Sequence, residues 1–229
     1  MNKLLIIFLI SSIAYAQKGI IGFSPLYAGY PQETFTCMRN SKKNFKYQNL
    51  IEKQLWGYDR YHKDAQAYAA NVGLSSNSVY IPCINTDKEQ YPYFTQENQF
   101  NTFVKYFQQN YDSSNGDYLW IVIEQSEDKN CQWTSDTTIN CGILDEIINL
   151  VEHSSKTGIK SNKNDWNTLF GNKCNKYTSL PLHYKNYDSK PDFKDWNEQQ
   201  FGGWTKPTMK TYQKGSYGDC YMYYELTVY

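Results

Sequence analysis

The stretch 117-DYLWIVIEQSED-128 decides how this chain folds. It reads as a short buried strand that ends in an acid, Glu124. Alternate residues of a strand face the same way, so Trp120, Val122 and Glu124 share one face. If that strand belongs to a barrel of parallel strands, its C-terminal end opens at the mouth, where such barrels carry their chemistry. A carboxyl beside Val122 and an aromatic ring would be partly desolvated, which favours the protonated form and suits a general acid. The competing reading is a surface glutamate at a strand end, and the segment alone does not choose between them.

Working outward, apolar and β-branched runs alternate with stretches of helical spacing. Residues 19–24, 49–58, 77–83 and 118–124 are strand candidates, and 31–43, 62–74 and 96–111 are helix candidates between them. Four strands each followed by a helix predict the first half of a barrel. A helix over 141–158 opens the second half, with Gly158 as its expected C-cap. Short strands follow near 159–161, 181–187, 207–213 and 221–228, with little helix between the last three. The expected fold class is therefore α/β, a single (β/α) barrel of TIM type with a degenerate, β-rich closing half.

The chain begins MNKLLIIFLISSIAYAQ, with Lys3, an apolar run from Leu4 to Ile13 and a small-x-small site at Ala14-Tyr15-Ala16. This is the pattern of a signal peptide over 1–16, leaving 17–229 as one domain. The apolar run is short for a bilayer span, and no later stretch is long and apolar enough to serve as one. The expected location is extracellular or a digestive vacuole. The chain carries 23 basic and 23 acidic residues, so no basic field favours nucleic acid. Six cysteines, at 37, 83, 131, 141, 174 and 220, predict disulfides in an exported chain. A local Cys131–Cys141 bridge is expected around the polar excursion between them. His62, His153 and His183 have no metal-ligand spacing, and neither metal nor cofactor is implied.

Several motifs in fixed order carry a resemblance. The strand WIVIE is similar to the WLDIE strand of glycoside hydrolase family 25 lysozymes, in the branch found in nematodes and protists. GIKSNKNDWNTLFG (158–171) resembles that family's G-[IV]-Y-[TS]-[NS]-x-x-x-W segment. LPLHYKNYDSKPDF (180–193), FGGWTKPTMKTY (201–212) and CYMYYELTVY (220–229) resemble LPLWYAHYDNNPSF, FGGWxKPxIKQY and C-x-x-x-x-DLNxY. QETFTCM (32–38) and LWGYDRY (55–61) extend the likeness toward the N-terminus.

The resemblance implies a barrel muramidase acting on peptidoglycan or a related N-acetylated glycan. Its proton donor falls on Glu124 and its last-strand acid on Glu225. The acid two residues before the donor falls on Val122, and no acid lies between Gln17 and Gln32 to supply the first-strand one. The family's groove aromatic becomes His183, a Tyr becomes Lys160, and a Gln becomes Thr211. Trp120, His183, Tyr184, Tyr187, Trp204 and Tyr212 lie in groove segments and are the candidate sugar contacts, each with packing of the barrel rim as its competing role. Asp188 reads as a loop cap in DSKP. Glycoside hydrolysis ordinarily uses two carboxyl groups. Two expectations follow: a lysozyme-like protein with impaired catalysis, or a non-catalytic extracellular glycan-binding or interaction protein on the same barrel.

Overall fold

The computed structural model describes residues 21–25, 29–41, 45, 47–53, 61–82, 84, 118–127, 129–152, 156–217 and 220–229. The leader 1–16, the helix expected over 96–111, residues 55–60 of the LWGYDRY segment and His153 lie outside them. Eight strands are described: β1 (Ile21–Pro25), β2 (Tyr47–Lys53), β3 (Ser75–Ile81), β4 (Tyr118–Val122), β5 (Lys156–Ser161), β6 (Leu182–Lys185), β7 (Met209–Tyr217) and β8 (Met222–Val228). The helices are α1 (Gln32–Asn40), α2 (Tyr61–Asn71), α3 (Thr137–Glu152), α4 (Lys163–Phe170) and the short α5 (Trp196–Gln199). No helix among the described residues is long and apolar enough to cross a membrane.

The fold is mixed α/β, with its sheet curled so that the strands pair in chain order and β1 meets β8. It departs from an all-parallel TIM barrel at one strand. β1 to β7 pair in parallel, whereas β8 is antiparallel to both β7 and β1. Residues 218–221 separate β7 from β8, far fewer than a parallel crossover needs, so the chain must turn back on itself.

Strand alternation divides the apolar residues into an inner and an outer set. Leu119, Ile121 and Ile123 pack outward with Ile143, Leu144, Ile147 and Val151 of α3 and Trp166, Leu169 and Phe170 of α4. Tyr224, Leu226 and Val228 pack outward with Phe35 and Met38 of α1 and Ala65 and Ala69 of α2. Trp120 and Val122 point inward and meet Val79 and Met209. Burying an aliphatic or aromatic side chain of this kind contributes roughly 1.5–3 kcal/mol.

Two expectations are corrected. Gly158 is not a helix C-cap: it lies inside β5, where a Cβ would come within 2.6 Å of Trp120 Cε3. The missing side chain makes room for the indole at the barrel axis. The Cys131–Cys141 bridge is also absent, because Cys141, in the first turns of α3, meets Cys174 in the segment leading to β6, with Cα atoms 5.8 Å apart. Cys131 is disulfide-bonded to another partner. Cys37 of α1 joins Cys220 ahead of β8, with a sequence separation of 183.

Candidate functional site

Glu124 stands one residue pair beyond the last residue of β4, on the inward face, with Ile123 N donating to Lys160 O at 2.8 Å to continue the pairing. Its neighbour is an ammonium, not the apolar pocket expected of a general acid: Lys185 Nζ donates to Glu124 Oε2 at 2.9 Å. The carboxyl side chain keeps 30% exposure, so this pair sits at the mouth. Burial alone would lower the Lys185 pKa, but the charge and hydrogen bond of Glu124, with help from Glu225 and Asp165, raise it.

Glu225 lies deeper, on β8. Lys160 Nζ donates to its Oε2 at 3.0 Å, and the two side chains are 5% and 9% exposed. The Tyr187 hydroxyl donates to its other oxygen. Burial pushes the Glu225 pKa up, yet the Lys160 charge, the Tyr187 hydrogen bond and Lys185 together draw it down to about 2. The Tyr187 hydroxyl is in turn held protonated, its pKa raised by burial and by the Glu225 carboxylate. Backbone register sets Ser24 of β1 opposite Glu225, on the strand where the first acid is missing.

Beneath these pairs, His183 is fully buried, with Nε2 2.7 Å from Thr211 Oγ1 and its ring edge-on to Trp120 at 5.2 Å. Burial, reinforced by Lys160 and Lys185, holds its pKa well below 6.5, so the ring is neutral. The mouth therefore stacks a neutral histidine layer under two acid–lysine pairs.

The remaining candidates do not converge on the mouth. Trp120 is buried at the axis, stacked on Tyr118 at 5.1 Å. Tyr184 is on the outer side of β6, against Trp196, with its hydroxyl on Asp195. Trp204 packs on Trp166 and donates to Leu180 O at 2.8 Å. Tyr212 is in the outer cluster with α1 and α2, where burial raises its pKa to about 12. Tyr187 alone of the six aromatic candidates is substantially exposed, at 40%. Asp188 caps its loop by accepting from Lys190 N at 3.0 Å and also meets Lys210 Nζ at 2.7 Å. Among the described residues no group of His, Cys, Asp and Glu could hold a metal ion.

A family model described as Lysozyme-like protein 1 matches residues 25–212. The chain belongs to this lysozyme-like family. The lysozyme-like chain is 25% identical to Counting factor 50 of Dictyostelium discoideum over 225 residues, covering 93% of this chain and 69% of that one. It is 25% identical to the probable GH family 25 lysozyme 5 of the same organism, covering 95% and 93%. Its fold is similar to that of the bacterial lysozyme from Streptomyces coelicolor, with a TM-score of 0.68, 13% identity and 93% of each chain covered. It is a lysozyme-like protein of the family 25 type.

Sequence reasoning gave no role to Lys185 and treated Lys160 only as a replacement for a tyrosine. Strand alternation contained the missing signal. Lys160 pairs in register with His183, and Lys185 follows His183 by two residues on the same face, so the period of two together with the β5–β6 register brings both cations to the acids.

Proposed function

We propose that this lysozyme-like protein is exported and binds peptidoglycan, or a related N-acetylated glycan, at the mouth of a barrel in which catalysis is impaired. One observation carries the reading: each carboxylate retained at the mouth is paired with a lysine, Glu124 with Lys185 and Glu225 with Lys160. A retaining or inverting glycosidase needs one carboxyl to deliver a proton and a second to attack or to activate water. Glu124 would have to release Lys185 before protonating a glycosidic oxygen. Glu225 is held ionised and blocked on both oxygens by Lys160 and Tyr187. Val122, where the family resemblance puts an acid, faces the apolar interior. A misplacement of about 1 Å at such a centre costs on the order of a hundredfold in rate.

The closed sheet with one reversed strand fits a variant of the TIM-type barrel. The leader over 1–16 supports export to the cell exterior or a digestive vacuole. The alternative, a non-catalytic extracellular interaction protein, draws on the same pairs, and a relative named as a counting factor stands beside one named as a lysozyme. The test is clearance of purified bacterial walls between pH 4 and 8 by the mature chain, Glu124→Gln and Val122→Asp. No clearance by the first two, with activity created by Val122→Asp, is the expected result. Wild-type clearance that Glu124→Gln abolishes would sink the impairment and restore a working muramidase.

A further inference from the structure

The β7–β8 end of the sheet overhangs the mouth. β6 pairs with β7 as far as Lys185↔Thr211, and β1 pairs with β8 no further out than Pro25↔Tyr224. Among the described residues, the pairs Ser216↔Tyr223 and Tyr217↔Met222 therefore stand beyond the last strand pairs of β6 and β1, held by each other, by Met222 in the outer cluster and by Tyr223 N donating to the Tyr30 hydroxyl at 3.0 Å. Met222 and Tyr224 turn outward into the cluster with α1 and α2, so Tyr223 takes the side of Glu225, two residues further in. Tyr223 is 65% exposed and Tyr221 is 87% exposed, although both follow a cysteine that is buried and bridged. Tyr221 also holds φ at 51°, a conformation bulky residues rarely adopt, and its ring gains no packing in exchange.

Below them, the Tyr187 ring lies on the mouth with its hydroxyl on Glu225 and Lys214 Nζ 5.0 Å from its centre. Lys214 is opposite Glu225 in register. Tyr187 at the mouth and Tyr223 further out thus share the side of Glu225, and exposed Tyr221 stands just beyond the outer end of β8. Among the described residues the large exposed aliphatic side chains, Ile139 and Leu150, are both on α3, away from it. Rings with a flat apolar face and a polar tip, with no large exposed aliphatic companion among the described residues, match a ligand of alternating apolar ring faces and hydroxyls better than an apolar protein surface.

We propose that Tyr187, Tyr223 and Tyr221 form a stacking edge that carries an N-acetylated glycan from the mouth outward along the β7–β8 overhang. This rests on the reading of the chain as a glycan-binding protein, and the experiment separates the two. Calorimetric titration of the full mature chain with the hexamer and the dimer of N-acetylglucosamine is compared with Tyr221→Ala/Tyr223→Ala and with Tyr223→Trp. Both positions are solvent-exposed, so the variants should melt like wild type. The double alanine variant should bind the hexamer about tenfold more weakly and the dimer unchanged, and Tyr223→Trp should retain hexamer binding. Wild-type binding that the double variant preserves overturns the edge and leaves the glycan reading standing. Absence of binding to wild type removes both. A concentration-dependent dimer of wild type, lost in the double variant without any loss of hexamer affinity, would give the tyrosines to a second copy of the chain instead.

Discussion

Two buried lysines, Lys210 and Lys160, lie on opposite sides of the same sheet and do opposite things. Lys210, fully buried on the outer side of β7, donates to Asp188 at 2.7 Å, Asp195 at 2.8 Å and the carbonyl of Asp192 at 2.9 Å. Asp195 also accepts from Tyr184 and Asn186, and although burial opposes it, these bonds hold its pKa below the ordinary value. An ammonium has three protons, and here each has its own oxygen. Lys160, on the inner side of β5, is matched instead to one carboxylate, Glu225. The first arrangement fixes the loop 186–195 by saturating its charge; the second neutralises an acid that the family resemblance would have left for substrate. Saturation marks structure, and one-to-one pairing at the mouth marks a site turned toward itself.

The sharpest way to break this contrast is Lys210→Met. It strands two aspartates in a partly buried loop and should cost about 3–5 kcal/mol, read as a drop in the urea midpoint. A change within roughly 0.5 kcal/mol would show the cage to be ornamental.

Acid comes next. Glu225 is depressed from its ordinary 4.5 to about 2, so its contribution is complete above pH 4.5 and is lost as pH falls through 2. The loss should approach about 3 kcal/mol. A separate decline should start already below pH 6.5, where the unfolded chain takes up a proton that buried His183 refuses. Urea melts of wild type and Glu225→Gln from pH 7 to 2 check this; parallel curves for the two proteins below pH 4.5 would contradict it.

The smallest net change, that of a double variant, is the most diagnostic. Lys160→Met alone leaves a buried carboxylate without its cation and should be strongly destabilising, whereas Lys160→Met/Glu225→Gln should return to within about 1 kcal/mol of wild type. Failure of the second change to rescue the first would mean that Lys160 has another obligation at the mouth.

Much of the fold was legible because alternation and helical spacing are local. Residues 118–124 read as a strand, β4 spans Tyr118–Val122, and the inward set of Trp120, Val122 and Glu124 emerges as the sequence implies. Gly158 was misread because a glycine after a helix resembles a cap until the indole of Trp120 is known to lie over it. The cysteines were misread because the choice of partner depends on how α3 packs on the segment before β6, a long-range contact that no spacing encodes. At the mouth, the two acids were visible as residue types, but their cations come from β5 and β6, so the pairing required register as well as alternation. The aromatic candidates were chosen by motif, and motif does not say which side of a strand a ring occupies: Tyr184 and Tyr212 turned outward, and Tyr187 reached the mouth.

The reversed last strand has a consequence for how the molecule is made. β8 supplies the neighbour of both β1 and β7, and Cys37 finds its partner only at Cys220. Until residues 222–228 are made, the edge of β1 that β8 covers stays unpaired, the kind of surface on which chains associate. Contacts of such sequence separation form late and slowly. The edge of β1 is therefore an opening for association during synthesis that the finished, closed sheet no longer reveals.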